Sequence, residues 1–287
     1  MRIGLQPGPE LIGSFAARTI IALVVIAVAP LSVPPFAFAQ ELDPVIEAAR
    51  KGAATYATSL PDYIVKRTTT RYIGVRPDRY FPGRRIATWR ELDTVGADLA
   101  VERGTEVYTN VSLNGLPSLD MPHGGAWSMG EFSTELLSIL PIERAAKFTR
   151  RRDEMLRNRP VYRYAFEIDV RHSVWNLSAG HLPGAPKVVQ ISPAYSGDIW
   201  IDRETGEVLR ITEAARDLPG RFPLDAVEEA TDYDFVKIGG EKYVLPTHSE
   251  TLSCLRDRFT CWKNTTDFRD YDKFGSKSSI TFEGAMK

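Results

Sequence analysis

The stretch YSGDIWIDRETGEVLRI, residues 195 to 211, decides how this chain is read. Asp202, Glu204 and Glu207 lie within six positions of one another, so they either converge as a catalytic set or punctuate a hairpin. Register separates the two cases. A three-residue loop Glu204-Thr205-Gly206 puts Gly206 in the left-handed position of a type I turn with a G1 bulge. It opposes Arg203 to Glu207, Ile201 to Leu209 and Ile199 to Ile211. A four-residue loop opposes Ile199 to Arg210 and Asp198 to Ile211, which mixes wet and dry faces, so the apolar pattern selects the shorter loop. Asp202 then shares a face with Trp200 and Arg210, Glu207 lies on the other face beside Arg203, and Glu204 points out of the turn. A general acid and base must meet on one substrate within hydrogen-bond reach. These carboxylates diverge, and the stretch is read as two strands that contribute an apolar face.

The same alternation runs outward from this hairpin. Val95, Ala97, Leu99 and Val101 alternate with polar residues, Arg103-Gly104 makes a turn, and Val107, Val111 and Leu113 follow in a second strand. Tyr162, Tyr164, Phe166, Ile168 and Val170 alternate with Arg163, Glu167, Asp169 and Arg171; the phase then slips at Trp175 and Leu177, which predicts a bulge or bend near His172. Further strands are expected at 62–74, 197–202, 207–214, 229–238, 242–254 and 261–271, with a short last one at Ile280 and Phe282. Gly239-Gly240 joins two of them by a tight turn. Two helices complete the set. Asp43-Pro44 starts one in which Val45, Ala49, Ala53, Tyr56 and Leu60 share a stripe before Pro61, and Glu131 to Leu140 forms the other. The expected fold is mainly β (α+β): a long, curved antiparallel sheet forming an incomplete barrel, covered by one or two helices.

Composition narrows the function. Arg2 and Arg18 precede an apolar run from Thr19 to Val33, and Ala37-Phe38-Ala39 follows, the layout of a secretory signal peptide cleaved near Ala39-Gln40. Residues 1–39 are therefore expected to leave, and 40–287 to form a single domain in the periplasm or outside the cell. Pro30, Pro34 and Pro35 interrupt the run short of the roughly 20 residues of a membrane span, so the mature chain is expected to have none. Losing Arg2, Glu10 and Arg18 takes the formal charge from −1 to −2, which argues against nucleic acid as a partner. Cys254 and Cys261, in an oxidising compartment, are expected to form a disulfide that staples a short loop, contributing roughly 2–3 kcal/mol.

Motifs for chemistry are sparse. His123, His172, His181 and His248 show no HExxH or HxH spacing, so neither a metal nor a cofactor is expected. There is no G-x-S-x-G elbow, and GGAWSMG at 124–130 lacks the Lys-Ser/Thr ending of a phosphate loop. If Cys254 faces Cys261, unbroken pairing sets His248 opposite Asp267, either a polar cross-strand pair or two members of a triad with no assignable nucleophile. No catalytic residue is assigned. Lys147, Arg150, Arg151, Arg152, Arg157 and Arg159 make a basic cluster, with RPDRYFPGRR at 76–85 as a second basic loop. These are read as solvated tips, or as contacts for anionic headgroups or an acidic partner.

Trp200-Ile201-Asp202, Thr205-Gly206 and the apolar strand Val208 to Ile211, with TNVSLNGLP, GEFSTELLSIL and FVKIGGEKYVLPTHSE elsewhere, make the chain resemble the outer-membrane lipoprotein carrier (LolA/LolB-like) half-barrel superfamily, closest to exported bacterial proteins of that type. The likeness runs loosely over 60–230 and better over 195–282. It implies an incomplete barrel whose concave side holds acyl chains or another hydrophobic ligand, with helices as a lid. On the residues themselves, the face available for such a ligand is Tyr162, Tyr164, Phe166, Ile168, Ile199, Ile201, Leu209 and Ile211. Two other readings stay open: a cell-envelope structural or signalling module with a filled core that binds another protein, and a hydrolase using His248 and Asp267 or an unrecognised carboxylate pair.

Overall fold

The computed structural model describes residues 43–75, 89–102, 105–122, 132, 134–180, 188–256 and 260–274. The expected signal peptide, the RPDRYFPGRR segment, the expected turn at Arg103-Gly104, His123, GGAWSMG, His181 and the short strand expected at Ile280 and Phe282 lie outside them.

Helix α1 (Pro44–Ser59) starts where its sequence signals: Asp43 Oδ1 accepts from the Val45 amide at 2.9 Å, and proline fills the first turn. Ile46, Ala49, Ala53 and Tyr56 are buried, with Val45 and Leu60 packed at the margin. Strands β1 (Tyr63–Val75), β2 (Trp89–Glu102), β3 (Thr105–Leu113) and β4 (Leu116–Pro117) follow as an antiparallel meander. Helix α2 (Thr134–Ile139) is shorter than the expected 131–140. Next come β5 (Lys147–Arg150), β6 (Glu154–Leu156) and β7 (Arg159–Ile168), then β8 (Leu177–Ala179) and β9 (Val189–Ile191), which pair only with each other. The chain closes with β10 (Ala194–Asp202), β11 (Val208–Arg216), β12 (Leu224–Ile238), β13 (Glu241–Leu255) and β14 (Thr260–Lys273).

The large sheet runs β4-β3-β2-β1-β14-β13-β12-β11-β10-β7-β5, with β6 on β7. It is not closed, so it forms an incomplete barrel, and both helices pack on one face. That inner face is set by period two: Tyr164, Ile199, Ile211, Thr231, Ser249, Thr266 and Thr69 oppose one another in successive strands. Near His172 the sheet bends by ending: β7 stops at Ile168, and the His172 amide donates to the Asp169 carbonyl in a turn. Gly239 and Gly240 both have positive φ, +60° and +98°, as a two-residue hairpin turn requires.

The deciding hairpin keeps the expected pair Ile199 with Ile211, but its loop end differs from the expected register. Asp202 closes the loop by donating its amide to the Glu207 carbonyl, and the Gly206 amide returns to the Asp202 carbonyl, so four residues, 203–206, form the turn. A bulge at Leu209 absorbs the extra residue: Ile201 opposes Val208, while Trp200 opposes Arg210 and Ile199 opposes Ile211. The expected pairs Ile201 with Leu209 and Arg203 with Glu207 are thus replaced, because a bulge restores facing at the cost of one unpaired residue. Its price in backbone hydrogen bonds is met by Arg157. This guanidinium donates to the Leu209 carbonyl at 2.9 Å and to the Tyr233 carbonyl, opposite a second bulge at Thr247 in β13, at 2.5 Å.

Candidate functional site: the inner face beneath the first helix

All eight residues expected to face a ligand lie in or against the main core beneath α1 and α2. Seven of them, Tyr164, Phe166, Ile168, Ile199, Ile201, Leu209 and Ile211, are at most 1% exposed. Tyr162 is half-buried, under the guanidinia of Arg150 and Arg203. Tyr164 fastens the start of α1: its hydroxyl donates to Asp43 Oδ2 at 2.6 Å, the carboxylate that caps α1, and accepts from Arg150 at 2.9 Å. Burial, and then the Asp43 bond, push its pKa up to about 12, so it stays a donor. Arg50 of α1 donates to the Leu140 carbonyl beyond α2 at 2.7 Å, tying the helices together.

The seam under α1 is thin. A void of only about 10 Å³ separates Ala49, Ala53 and Tyr56 from Leu136, Val208 and Val244. Open clefts flank the helix on both sides. One, of about 940 Å³, lies between α1 and Arg159, Glu204, Glu207, Phe235 and Tyr243. The other, of about 690 Å³, lies between α1 and Leu137, Pro141 and Ile142. The Tyr56 hydroxyl is buried without a hydrogen-bond partner among the described residues, and burial with the nearby Glu207 and Glu135 charges raises its pKa well above the usual tyrosine value.

The inner face is not uniformly greasy. Thr231, Ser249, Thr266 and Thr69 form one buried row, closed by a 3.0 Å contact between the Thr69 and Thr266 hydroxyls. The next row runs Glu213, Glu229, Thr251, Asn264, Arg71 and Asp93, ending in a bidentate Arg71–Asp93 pair at 2.6 Å. Glu135 of α2 reaches this belt and accepts from Thr231 at 2.9 Å and Tyr233 at 2.5 Å. Burial, then the neighbouring acids, hold Glu135 and Glu213 well above the ordinary carboxylate range. One signal in the sequence marks Glu213, which falls in the phase of Leu209 and Ile211 where an apolar residue is due. Glu135 carries none.

No protein-family profile and no curated protein matches the chain. Among solved structures, a putative outer membrane lipoprotein-sorting protein domain from Vibrio parahaemolyticus is similar at 12% identity, over 82% of this chain and 94% of its own, with a TM-score of 0.36. A DUF1329 family protein from Desulfovibrio piger is similar at 11% identity, over 82% and 95%, with a TM-score of 0.34. A LolA superfamily protein from Nitrosomonas europaea is similar at 12% identity, over 80% and 92%, with a TM-score of 0.29. The first and third carry the labels of the superfamily that the sequence resembles. At such identities and scores they bear on neither ligand nor activity, and the incomplete barrel rests on this chain's own strand order.

On the outer face, His248 opposes Asp267 as the sequence register places them, with Nδ1 and Oδ1 3.0 Å apart, while Nε2 lies 3.6 Å from Glu250. Both ring nitrogens thus face carboxylates. Cys254 and Cys261 are joined by a disulfide. Half of the basic cluster is engaged within the chain, Arg150 on Tyr164 and Asp153, Arg157 on two carbonyls and Arg159 on Asp202, while Lys147, Arg151 and Arg152 are exposed. No helix among the described residues is long and apolar enough to cross a membrane.

Proposed function

We propose that this chain is an exported carrier or binding protein, periplasmic or secreted, that shelters a lipid, acylated or other hydrophobic ligand on the inner face of its incomplete barrel. In this view the structure is the closed form, with side chains of α1 and α2 in the ligand's place. The observation that carries the proposal is the thin seam under α1: an alanine-rich contact stripe, a buried Tyr56 hydroxyl without a described partner, and an open cleft on each side. Burial of Ile46, Tyr56 and the two alanines stabilises docking by about 5 kcal/mol, and the buried hydroxyl offsets about 1–3 kcal/mol of that. An acyl chain gains about 0.8 kcal/mol per buried CH₂, so roughly six methylenes outweigh the docked helix. The buried threonine and serine row, Thr231, Ser249, Thr266 and Thr69, suits the polar end of such a ligand.

Native mass spectrometry of protein purified from its own host, with uptake of a fluorescent fatty acid, tests the proposal. Bound lipid and saturable uptake are expected, with uptake increased in Ala53→Trp, which overfills the seam. No bound lipid and no uptake by either protein would sink it. A filled-core module that binds another envelope protein is the second reading, favoured by the near-absence of void at the seam; crosslinking in cells that recovers a partner, with no lipid found, would establish it.

A further inference from the structure

The belt contains a cluster that a hydrophobic ligand does not use. Glu135, Glu213 and Glu229 each offer a carboxylate oxygen, and these oxygens all lie within 4.8 Å of one another. Glu135 and Glu213 are 7% and 3% exposed. What acts on these two is acids and hydroxyls: Glu229 with both, Thr231 and Tyr233 on Glu135, Ser138 on Glu213. Among the described residues, no lysine, arginine or histidine acts on Glu213. A second observation is independent of the clustering. Glu213 Oε1 is buried with no hydrogen-bond partner among the described residues, and so is Thr251 Oγ1, which lies opposite Glu229 in the same row. Buried carboxylate oxygens without donors are costly unless a cation or a proton meets them.

We propose that Glu135, Glu213 and Glu229 bind one hard divalent cation of the calcium, manganese and magnesium class. All-oxygen donors select such ions over zinc or copper. Ligands about 2.1–2.6 Å from an ion sit up to about 5 Å apart across it, which matches the spread of the three oxygens. The Thr231 and Tyr233 hydroxyls orient the Glu135 carboxylate from behind. Because Glu135 belongs to α2 and the other two to β11 and β12, the ion would fasten the helix to the sheet.

The test is titration of chelator-treated protein with Ca²⁺, Mg²⁺ and Mn²⁺ separately, by calorimetry and thermal melting. One ion per chain is expected, with a rise in Tm of about 5–10 °C at roughly 100 times Kd. Glu213→Gln and Glu135→Gln should lose the shift. Each should melt no lower than the wild type in chelator, since removing a carboxylate relieves repulsion, which separates lost binding from lost folding. Absence of heat and of any shift with all three ions overturns the proposal. So does a shift that survives in Glu213→Gln, or a Tm that falls with rising pH identically with and without cation, which would assign the cluster to shared protons.

Discussion

Replacing Asp202 by alanine should unfasten the hairpin that organises the sheet. Its carboxylate, 1% exposed, accepts from Arg159 Nε at 2.5 Å, from the Glu204 and Thr205 amides at 3.0 and 2.9 Å, and from the Thr205 hydroxyl at 3.1 Å. Losing the amide contacts resembles losing a helix cap, about 1 kcal/mol. Breaking a fully buried ion pair costs about 3–5 kcal/mol, but the Arg159 side chain is 34% exposed and can rehydrate, so about 1–2 kcal/mol is the fitting share. The expected loss is therefore about 2–3 kcal/mol, read as a lower urea midpoint with unchanged m-value. A double-mutant cycle with Arg159→Ala should return about 1–2 kcal/mol of coupling. Burial by itself would raise the Asp202 pKa; Arg159 and the Thr205 and Glu204 donors outweigh it and hold the carboxyl below its ordinary value. A depressed folded-state pKa gives stability that is present above the unfolded value, about 3.9, and lost as pH falls through the folded one. Wild type should lose this increment below about pH 4 and Asp202→Ala should not. A cost under about 0.5 kcal/mol with no coupling to Arg159 would refute the reasoning.

Arg157→Ala strands the Leu209 and Tyr233 carbonyls and should cost about 2–3 kcal/mol, with Arg157→Lys recovering at most one contact; amide exchange in β11 and β12 would show where protection is lost. Removing the disulfide as Cys254→Ala with Cys261→Ala opens a loop of sequence separation 7 and should lower stability by about 2.5 kcal/mol in urea titration, matched by adding reductant to wild type. The His248 pKa is raised by Glu250 first and Asp267 next, against burial. Its contribution is thus full below about pH 6.5 and lost as pH rises through the folded pKa. With the side chain 35% exposed, wild type should lose under about 1 kcal/mol across that rise and His248→Ala nothing, compared by urea midpoints on either side.

How far the sequence carried depends on what each feature is made of. Asp43-Pro44, the Gly239-Gly240 turn, the period-two runs and the Cys254–Cys261 register are local or nearly local, so propensity and alternation reveal them. The hairpin at 195–211 shows the limit. Alternation matched the facing pair Ile199–Ile211, but loop length and the partner of Ile201 followed from assuming an unbroken ladder, and the Leu209 bulge breaks it, setting Val208 opposite Ile201. Such a bulge is tolerable here because Arg157, more than fifty residues earlier, supplies the missing donor. The short strands β4, β5, β6, β8 and β9 carry too few residues for alternation to register.

The candidate site divides the same way. Tyr164, Phe166, Ile199 and Ile211 were legible as an inner apolar face because hydrophobic burial acts on each strand separately. The polar belt was not, since it is a property of neighbours: Glu213 meets Glu229 and Glu135 only once β11, β12 and α2 are brought together. By itself, then, the sequence determined a mainly antiparallel chain with an apolar face, a capped helix and a disulfide hairpin. Tertiary structure decided that β1 pairs with β14 across almost the whole chain, that α1 covers the inner face, and that three carboxylates share one buried space. The reason is physical: strand alternation and helix caps are paid within a few residues, whereas edge pairing and charge burial depend on which distant segments the collapsed core brings into contact.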